Sequence, residues 1–250
     1  MDVFLTSYPK SGNTWVRFLF ANLLFPNEKV DFVSLERLIP DIYKNTGEEL
    51  KLNYPINVFK SHNSFTPEYG NVVYIVRNPL SVCVSLYYHA RKYRLFDNSL
   101  PFEAFVGKFL NGEVFPAFQS WQDNVMSWID NVKKVDKFLL LKYEDIHDDP
   151  VANLQKICAF CGLNQSEENI RSAIEKSSFE RMREMEQKNF FDAKIFKAKA
   201  GSVLSRKEMY FVRSGQKDEY RDVFNEELKQ LVYKKFDRAI RFLQYEYAFK

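Results

Sequence analysis

The sequence predicts an α/β fold: a central parallel sheet with flanking helices. Three observations carry that expectation. Four short apolar runs, residues 3–5, 56–59, 71–76 and 137–142, have the length and residue types of buried strands. Stretches of helical periodicity separate them. Each run also stops abruptly at polar residues: Thr6 and Ser7 after the first, Lys60-Ser61-His62 after the second, Arg77-Asn78-Pro79 after the third, and Tyr143-Glu144-Asp145 after the fourth. In open parallel sheets ligands bind outside the carboxyl ends of the strands, so these polar stretches mark the expected site.

The first strand and its turn, Thr6-Ser7-Tyr8-Pro9-Lys10-Ser11-Gly12-Asn13-Thr14-Trp15, organise the rest. Pro9 cannot continue a central ladder and holds Tyr8 extended. A helical pattern follows over residues 15–25, with Trp15, Phe18, Leu19 and Leu23 on one stripe. A strand, a polar turn and a helix N-terminus form an anion site, to which Lys10 adds a full charge. This is not the nucleoside-triphosphate loop. That loop, G-x-x-x-x-G-K-S/T, needs a glycine well ahead of its lysine. Here Lys10 precedes Gly12, and no glycine lies upstream.

Pro26-Asn27 ends the first helix. Residues 27–55 look irregular, with a short helix near 33–38 and a polar turn at 45–47, the place for an insertion over a site. Beyond residue 151 the pattern is mostly helical, apart from a basic irregular stretch over 194–221. Trp121 and Trp128 are expected in the core.

A chain of 250 residues buries one sizeable core, so residues 1–250 are expected to form a single domain. The 24 Phe and 14 Tyr suit a chain that lines an apolar pocket as well as a core. A net charge of +3 leaves no basic footprint for nucleic acid. Three cysteines, an odd number, argue against a disulfide framework and for a reducing compartment. Cys158 and Cys161 form a lone C-x-x-C without two further zinc ligands and read as buried thiols. No transmembrane segment is expected, and the run over 15–25 is not read as a signal peptide's apolar core, because Arg17 and Asn22 interrupt it. The expected location is the cytoplasm.

Brought together, the strand ends supply Lys10, Ser11, Gly12, Asn13 and Thr14, then Lys60 and His62, Arg77 with Ser85, and Tyr143, with Trp15 available to stack. Two phosphate-type subsites and a base describe a phospho-nucleotide donor and an acceptor. In these residues the chain resembles the cytosolic-type sulfotransferases, which use 3′-phosphoadenosine 5′-phosphosulfate (PAPS). Ser7 to Trp15 is similar to that family's T-Y-P-K-S-G-T-T-W loop. Tyr74 to Pro79 with Val84 to His89 resembles its 3′-phosphate motif, and Lys60-Ser61-His62 its K-T-H segment. Tyr143-Glu144-Asp145 with Asp149-Pro150, Ser177-Ser178-Phe179 with Met182, and Phe211-Val212-Arg213-Ser214-Gly215 resemble three later motifs, in the family's order.

The resemblance implies a P-loop-like sulfotransferase fold, PAPS as donor, PAP as product and no metal. It implies that His62 takes the acceptor's proton, Lys10 meets the oxygen bridging sulfur and 5′-phosphate, and Lys60 holds the sulfuryl oxygens. Lys10 to Trp15 would hold the phosphosulfate, Arg77 and Ser85 the 3′-phosphate, and Trp15, Tyr143, Ser178 and Phe179 the base. Phe211 to Gly215 would close over the 3′-phosphate, although Ser214 stands where the family carries lysine. The family's K-x-x-x-T-V-x-x-x-E dimer stretch is not recognisable, which leaves the oligomeric state open. The acceptor, a small molecule, lipid or glycan with a hydroxyl or amine, would enter past residues 27–55, 63–70 and 87–118. His89 is the reserve base, and His147 reads as a solvated turn. The short chain points to a bacterial-type member. A P-loop phosphotransferase and a non-catalytic PAP-binding module are the rival readings.

Overall fold

β1 (Asp2–Ser7) pairs on both sides: Phe4 lies opposite Phe59 of β2 (Asn57–Ser61) and opposite Val72 of β3 (Asn71–Val76). β4 (Lys137–Lys142) completes the sheet along β3, with Val73 opposite Leu139. All the pairings are parallel and the order is β2-β1-β3-β4. The structure, a computed structural model, describes residues 1–44, 52–191, 212, 215 and 217–245. The expected turn at 45–47, most of the basic stretch 194–221, and Phe211, Arg213 and Ser214 lie outside the described residues.

Alternation along the strands divides the core into two layers. Val72, Tyr74 and Val76 face α3 (Pro79–Tyr93), α4 (Phe102–Leu110), α5 (Trp121–Asp130), α10 (Glu226–Lys235) and α11 (Asp237–Phe242). Trp121 and Trp128 are fully buried in that layer. Val73 and Ile75 face the opposite layer, made by α1 (Asn13–Leu24), α2 (Phe32–Leu38), α7 (Pro150–Cys161) and α8 (Glu167–Lys176). Cys158 and Cys161 pack there as free buried thiols. The helix after β1 and the helix after β3 therefore leave on opposite faces. The crevice between those adjacent strand ends is where a doubly wound sheet binds its ligand.

Two further helices frame this crevice: α6 (Tyr143–Asp148), directly after β4, and α9 (Phe179–Phe191). β2 runs two residues beyond its apolar run. The Lys60 N–H donates to the Pro40 carbonyl (2.9 Å), and the Ile42 N–H donates back to the Lys60 carbonyl (3.2 Å). The segment after α2 thus docks on the outer edge of β2, next to the strand end that matters. None of the helices among the described residues is long and apolar enough to cross a membrane.

Candidate active site

The loop after β1 is tightly closed. The Ser11 N–H reaches back to the Tyr8 carbonyl (3.3 Å), and α1 begins with Val16 N–H donating to Gly12 O (3.2 Å). Lys10 sits at φ 69° and Gly12 at φ 94°, both left-handed. At Gly12 a Cβ would lie 2.3 Å from Cδ2 of Tyr143, so glycine is required for space as well as for backbone. No side chain caps α1, which leaves the first-turn N–H groups for an anion. The Ser11 hydroxyl is fully buried and has no hydrogen-bond partner among the described residues. A loop with an orphaned buried hydroxyl, an uncapped helix start and a lysine fits a phosphosulfate group.

Asn13 ties this loop to the sheet. Its Nδ2 donates to the Leu5 carbonyl and to Ser7 Oγ, both at 3.2 Å. Ser7 in turn holds His62: the imidazole Nδ1 lies 2.7 Å from the Ser7 carbonyl oxygen and 3.4 Å from its Oγ. A carbonyl only accepts, so Nδ1 carries the proton and Nε2 the lone pair. The main chain of His62 is clamped too. Its N–H donates to Tyr43 Oη (3.1 Å), and its carbonyl accepts from Asn124 Nδ2 of α5 (3.1 Å). Burial holds the His62 pKa well below 6.5, and the charges of Lys60, Lys10 and Arg17 push it further down. The imidazole is neutral at pH 7 and ready to accept a proton.

Lys60 lies beside it in an ion pair. Its Nζ is 2.8 Å from Asp41 Oδ2, with both side chains nearly buried, and 5.2 Å from the Tyr43 ring centroid. Burial lowers the Lys60 pKa, and Asp41 opposes that shift. Asp41, Tyr43 and Asn124 all bear on the base, yet nothing in the sequence marks them. Tyr43 and Asn124 bond the main chain of His62 and Asp41 pairs with Lys60 beside it, brought there by the edge docking of residues 40–42 and by the packing of α5.

On the β3 and β4 side the Arg77 guanidinium lies 4.3 Å from the Tyr143 ring centroid, and its Nη1 is 3.5 Å from the Lys10 carbonyl. Asn78 caps α3 by accepting the Leu80 N–H (2.9 Å), while its own N–H donates to Glu144 (2.9 Å). Ser85 is half-buried two turns along α3. Trp15 meets the Tyr143 ring edge-on at 5.6 Å and donates its indole N–H to the Ser177 carbonyl (3.1 Å). Ser178 accepts the Arg181 N–H at the start of α9 (3.3 Å). Gly215, at φ 68°, lies so close to Phe179 that a Cβ would stand 2.5 Å from the ring. Phe179 and Gly215 border an open groove of about 590 Å³ lined also by His147 and Lys217. His147 is exposed, as expected, but it belongs to α6 and forms the rim of that groove 6.5 Å from Trp15.

His89 is reached from His62 along a row of rings: His62 to Phe118 at 5.6 Å, Phe118 to Phe115 at 6.1 Å, and Phe115 to His89 at 6.0 Å. Burial drives its pKa down to about 3, with the charges of Lys10 and Lys92 adding to the shift. The structure therefore brings Lys10 to Trp15, His62, Lys60, Arg77 and Tyr143 to one end of the sheet, with Phe179 and Gly215 packed together beside them. Among the described residues, no group of three or more His, Cys, Asp or Glu is placed to hold a metal ion.

The family model for the sulfotransferase domain matches residues 1–244. The chain belongs to the sulfotransferase family. Sulfotransferase 1B1 of the dog (Canis lupus familiaris) is 28% identical to this sulfotransferase over 253 residues, covering 94% of it and 82% of the relative. The 3-beta-hydroxysteroid sulfotransferase of Cavia porcellus is 30% identical over 199 residues, covering 76% and 68%. Among solved structures, retinol dehydratase in complex with androsterone and PAP superposes with a TM-score of 0.76 at 18% identity, over 99% of this chain and 82% of that one. A mouse sulfotransferase complexed with PAP gives 0.67 at 24% identity, over 96% and 84%. The expected fold, a parallel sheet with flanking helices of the sulfotransferase type, is the one observed. This sulfotransferase is an enzyme of the PAPS-dependent class.

Proposed function

We propose that this sulfotransferase moves the sulfuryl group of PAPS to a hydroxyl or amine of a small-molecule, lipid or glycan acceptor, with His62 as general base. The observation that carries the reading is the Nδ1 bond of His62 to the Ser7 carbonyl at 2.7 Å, which leaves a neutral Nε2 for the acceptor. PAPS supplies an activated sulfur–oxygen bond; the protein supplies positions and charge.

The loop from Lys10 to Trp15 holds the phosphosulfate, through first-turn N–H groups, the Ser11 hydroxyl and the Lys10 ammonium. Lys10 stabilises the oxygen that leaves with the 5′-phosphate. His62 Nε2 takes the acceptor's proton as that oxygen or nitrogen bonds to sulfur. Lys60, kept in place by Asp41, stabilises the sulfuryl oxygens. Donors aimed at developing charge contribute about 3–4 kcal/mol each. With two lysines at the transferring group, the reading needs no divalent metal. Arg77 and Ser85 receive the 3′-phosphate, and Trp15, Tyr143, Ser178 and Phe179 receive the base, with Val212 and Gly215 closing that side.

PAP in the two neighbouring structures supports the donor assignment, and the androsterone complex supports a small apolar acceptor. The reading takes residues 1–250 as one domain in the cytoplasm, a setting that three free thiols suit. Labelled PAPS incubated with a panel of alcohols, phenols and amines tests it. Transfer to at least one acceptor is the expected result; hydrolysis of ATP–Mg with no PAP binding would favour a phosphotransferase instead.

A further inference from the structure

Glu186 of α9 is 1% exposed, and a carboxylate is buried at such cost only when it is well partnered. Its Oε2 accepts the Val212 N–H at 2.8 Å, and its Oε1 lies 3.9 Å from Lys92 Nζ on α3. Arg183, one turn earlier on α9, donates to the carbonyl oxygen of the same Val212. Both main-chain polar groups of one residue are thus held by charged side chains from a single helical turn.

Further along the same stretch, Ser81 of α3 donates to the Lys217 carbonyl at 2.6 Å. Between these two anchors Gly215 is pressed against Phe179. Lys92 also shares a face of α3 with His89, three residues before it, and Ser85, seven before it. One ion pair therefore joins the helix that carries Ser85 and His89 to the support of Val212.

We infer that Glu186, with Lys92 and Arg183, is a positioning group for donor binding: it fixes the main chain of Val212 on the side of the site where Phe179 and Gly215 line the groove. The inference rests on the reading of Val212 and Gly215 as part of the donor site. Glu186 itself touches no substrate. Charge-assisted bonds are about twice as strong as neutral ones, so the charge as well as the shape of this side chain matters.

Titration calorimetry with PAP on Glu186→Gln, Glu186→Leu and Lys92→Met, beside the parent and Arg77→Ala, tests it. Glu186→Leu should raise the Kd for PAP roughly tenfold or more, and Glu186→Gln by less. The KM for PAPS should rise with them while kcat at saturating PAPS stays within about twofold. Adding Lys92→Met to Glu186→Leu should cost less than the sum of the two changes. A lower Tm with Kd and KM unmoved in the variants that fold would reduce Glu186 to a structural residue and overturn the inference. If Glu186→Leu fails to fold, Glu186→Gln and Lys92→Met decide on the same criterion. No PAP binding by the parent would sink the donor assignment as a whole. A weakened Arg77→Ala beside unchanged Glu186 variants would sink this inference alone.

Discussion

The imidazole of His62 hangs from the Ser7 carbonyl oxygen by a 2.7 Å bond through Nδ1. Ser7 ends β1 and leads into the anion loop, so base and loop are referred to the same strand. Asn13 adds a second tie by donating to Ser7 Oγ from within the loop's first helical turn. His62→Ala should therefore leave PAP affinity nearly intact and lower turnover by about 10²–10⁴. Parallel calorimetry and rate measurements check this. Near-parental turnover would move the base to His89.

The Arg77 guanidinium lies over the Tyr143 ring, 4.3 Å from its centroid, and beside the Lys10 carbonyl. Arg77→Ala removes a planar fork suited to phosphate, and PAP affinity should fall by roughly 2 kcal/mol or more. Unchanged affinity in calorimetry would place the 3′-phosphate elsewhere.

Asp41 and Lys60 form a nearly buried pair beside the base. Asp41→Ala leaves the ammonium without its carboxylate, and breaking such a pair costs about 3 kcal/mol of stability. Activity should fall as well, because Lys60 and the docked edge segment both lose their anchor. Urea unfolding and initial rates on one preparation read the two effects together. A variant of parental stability and rate would show that the pair has no part in either.

The pH behaviour follows from two histidines held neutral. The sequence alone places the ascending limb of kcat/KM near the ordinary histidine value of about 6.5. Burial and the neighbouring cations shift it well below that for His62, so the acceptor profile should stay flat through pH 6.5. For stability the sign is fixed by the depressed folded-state values. Below about 6.5 the unfolded chain binds protons that the folded chain refuses, until the pH nears about 3 for His89. Stability is complete above pH 6.5 and declines below it, by up to about 1.4 kcal/mol per pH unit for each histidine. Melts between pH 7.5 and 5 measure the slope, and His89→Phe should flatten it. A slope unchanged in His89→Phe would mean that His89 is protonated in the fold.

The sequence shows the parts of the site that are local. β3 and β4 have the bounds expected of them, because each is an apolar run closed by polar residues. The anion loop is legible because Pro9, Lys10, Gly12 and the stripe from Trp15 are contiguous. Asp41, Tyr43, Asn124 and Glu186 leave no such mark. Each acts through a contact that exists only after distant segments dock, as residues 40–42 do on the edge of β2. Lys60 shows the difference within a single residue: its place at a strand end is readable, whereas the carboxylate that holds it lies 19 residues upstream.

The order of the strands also governs how the protein comes to fold. Asp2 pairs with Asn57, Phe4 with Val72 and Asn71 with Lys137, so among the described residues every ladder spans a long stretch of chain and no hairpin starts the sheet. Loop-closure entropy must be overcome before any of these contacts is gained, which makes assembly slow and cooperative. Lys10, His62, Arg77 and Tyr143 follow four different strands and meet only when all the ladders have closed. A partly folded chain has neither half of the active site, and recovery of PAP binding during refolding should track the last strand to pair, not the first helices to form.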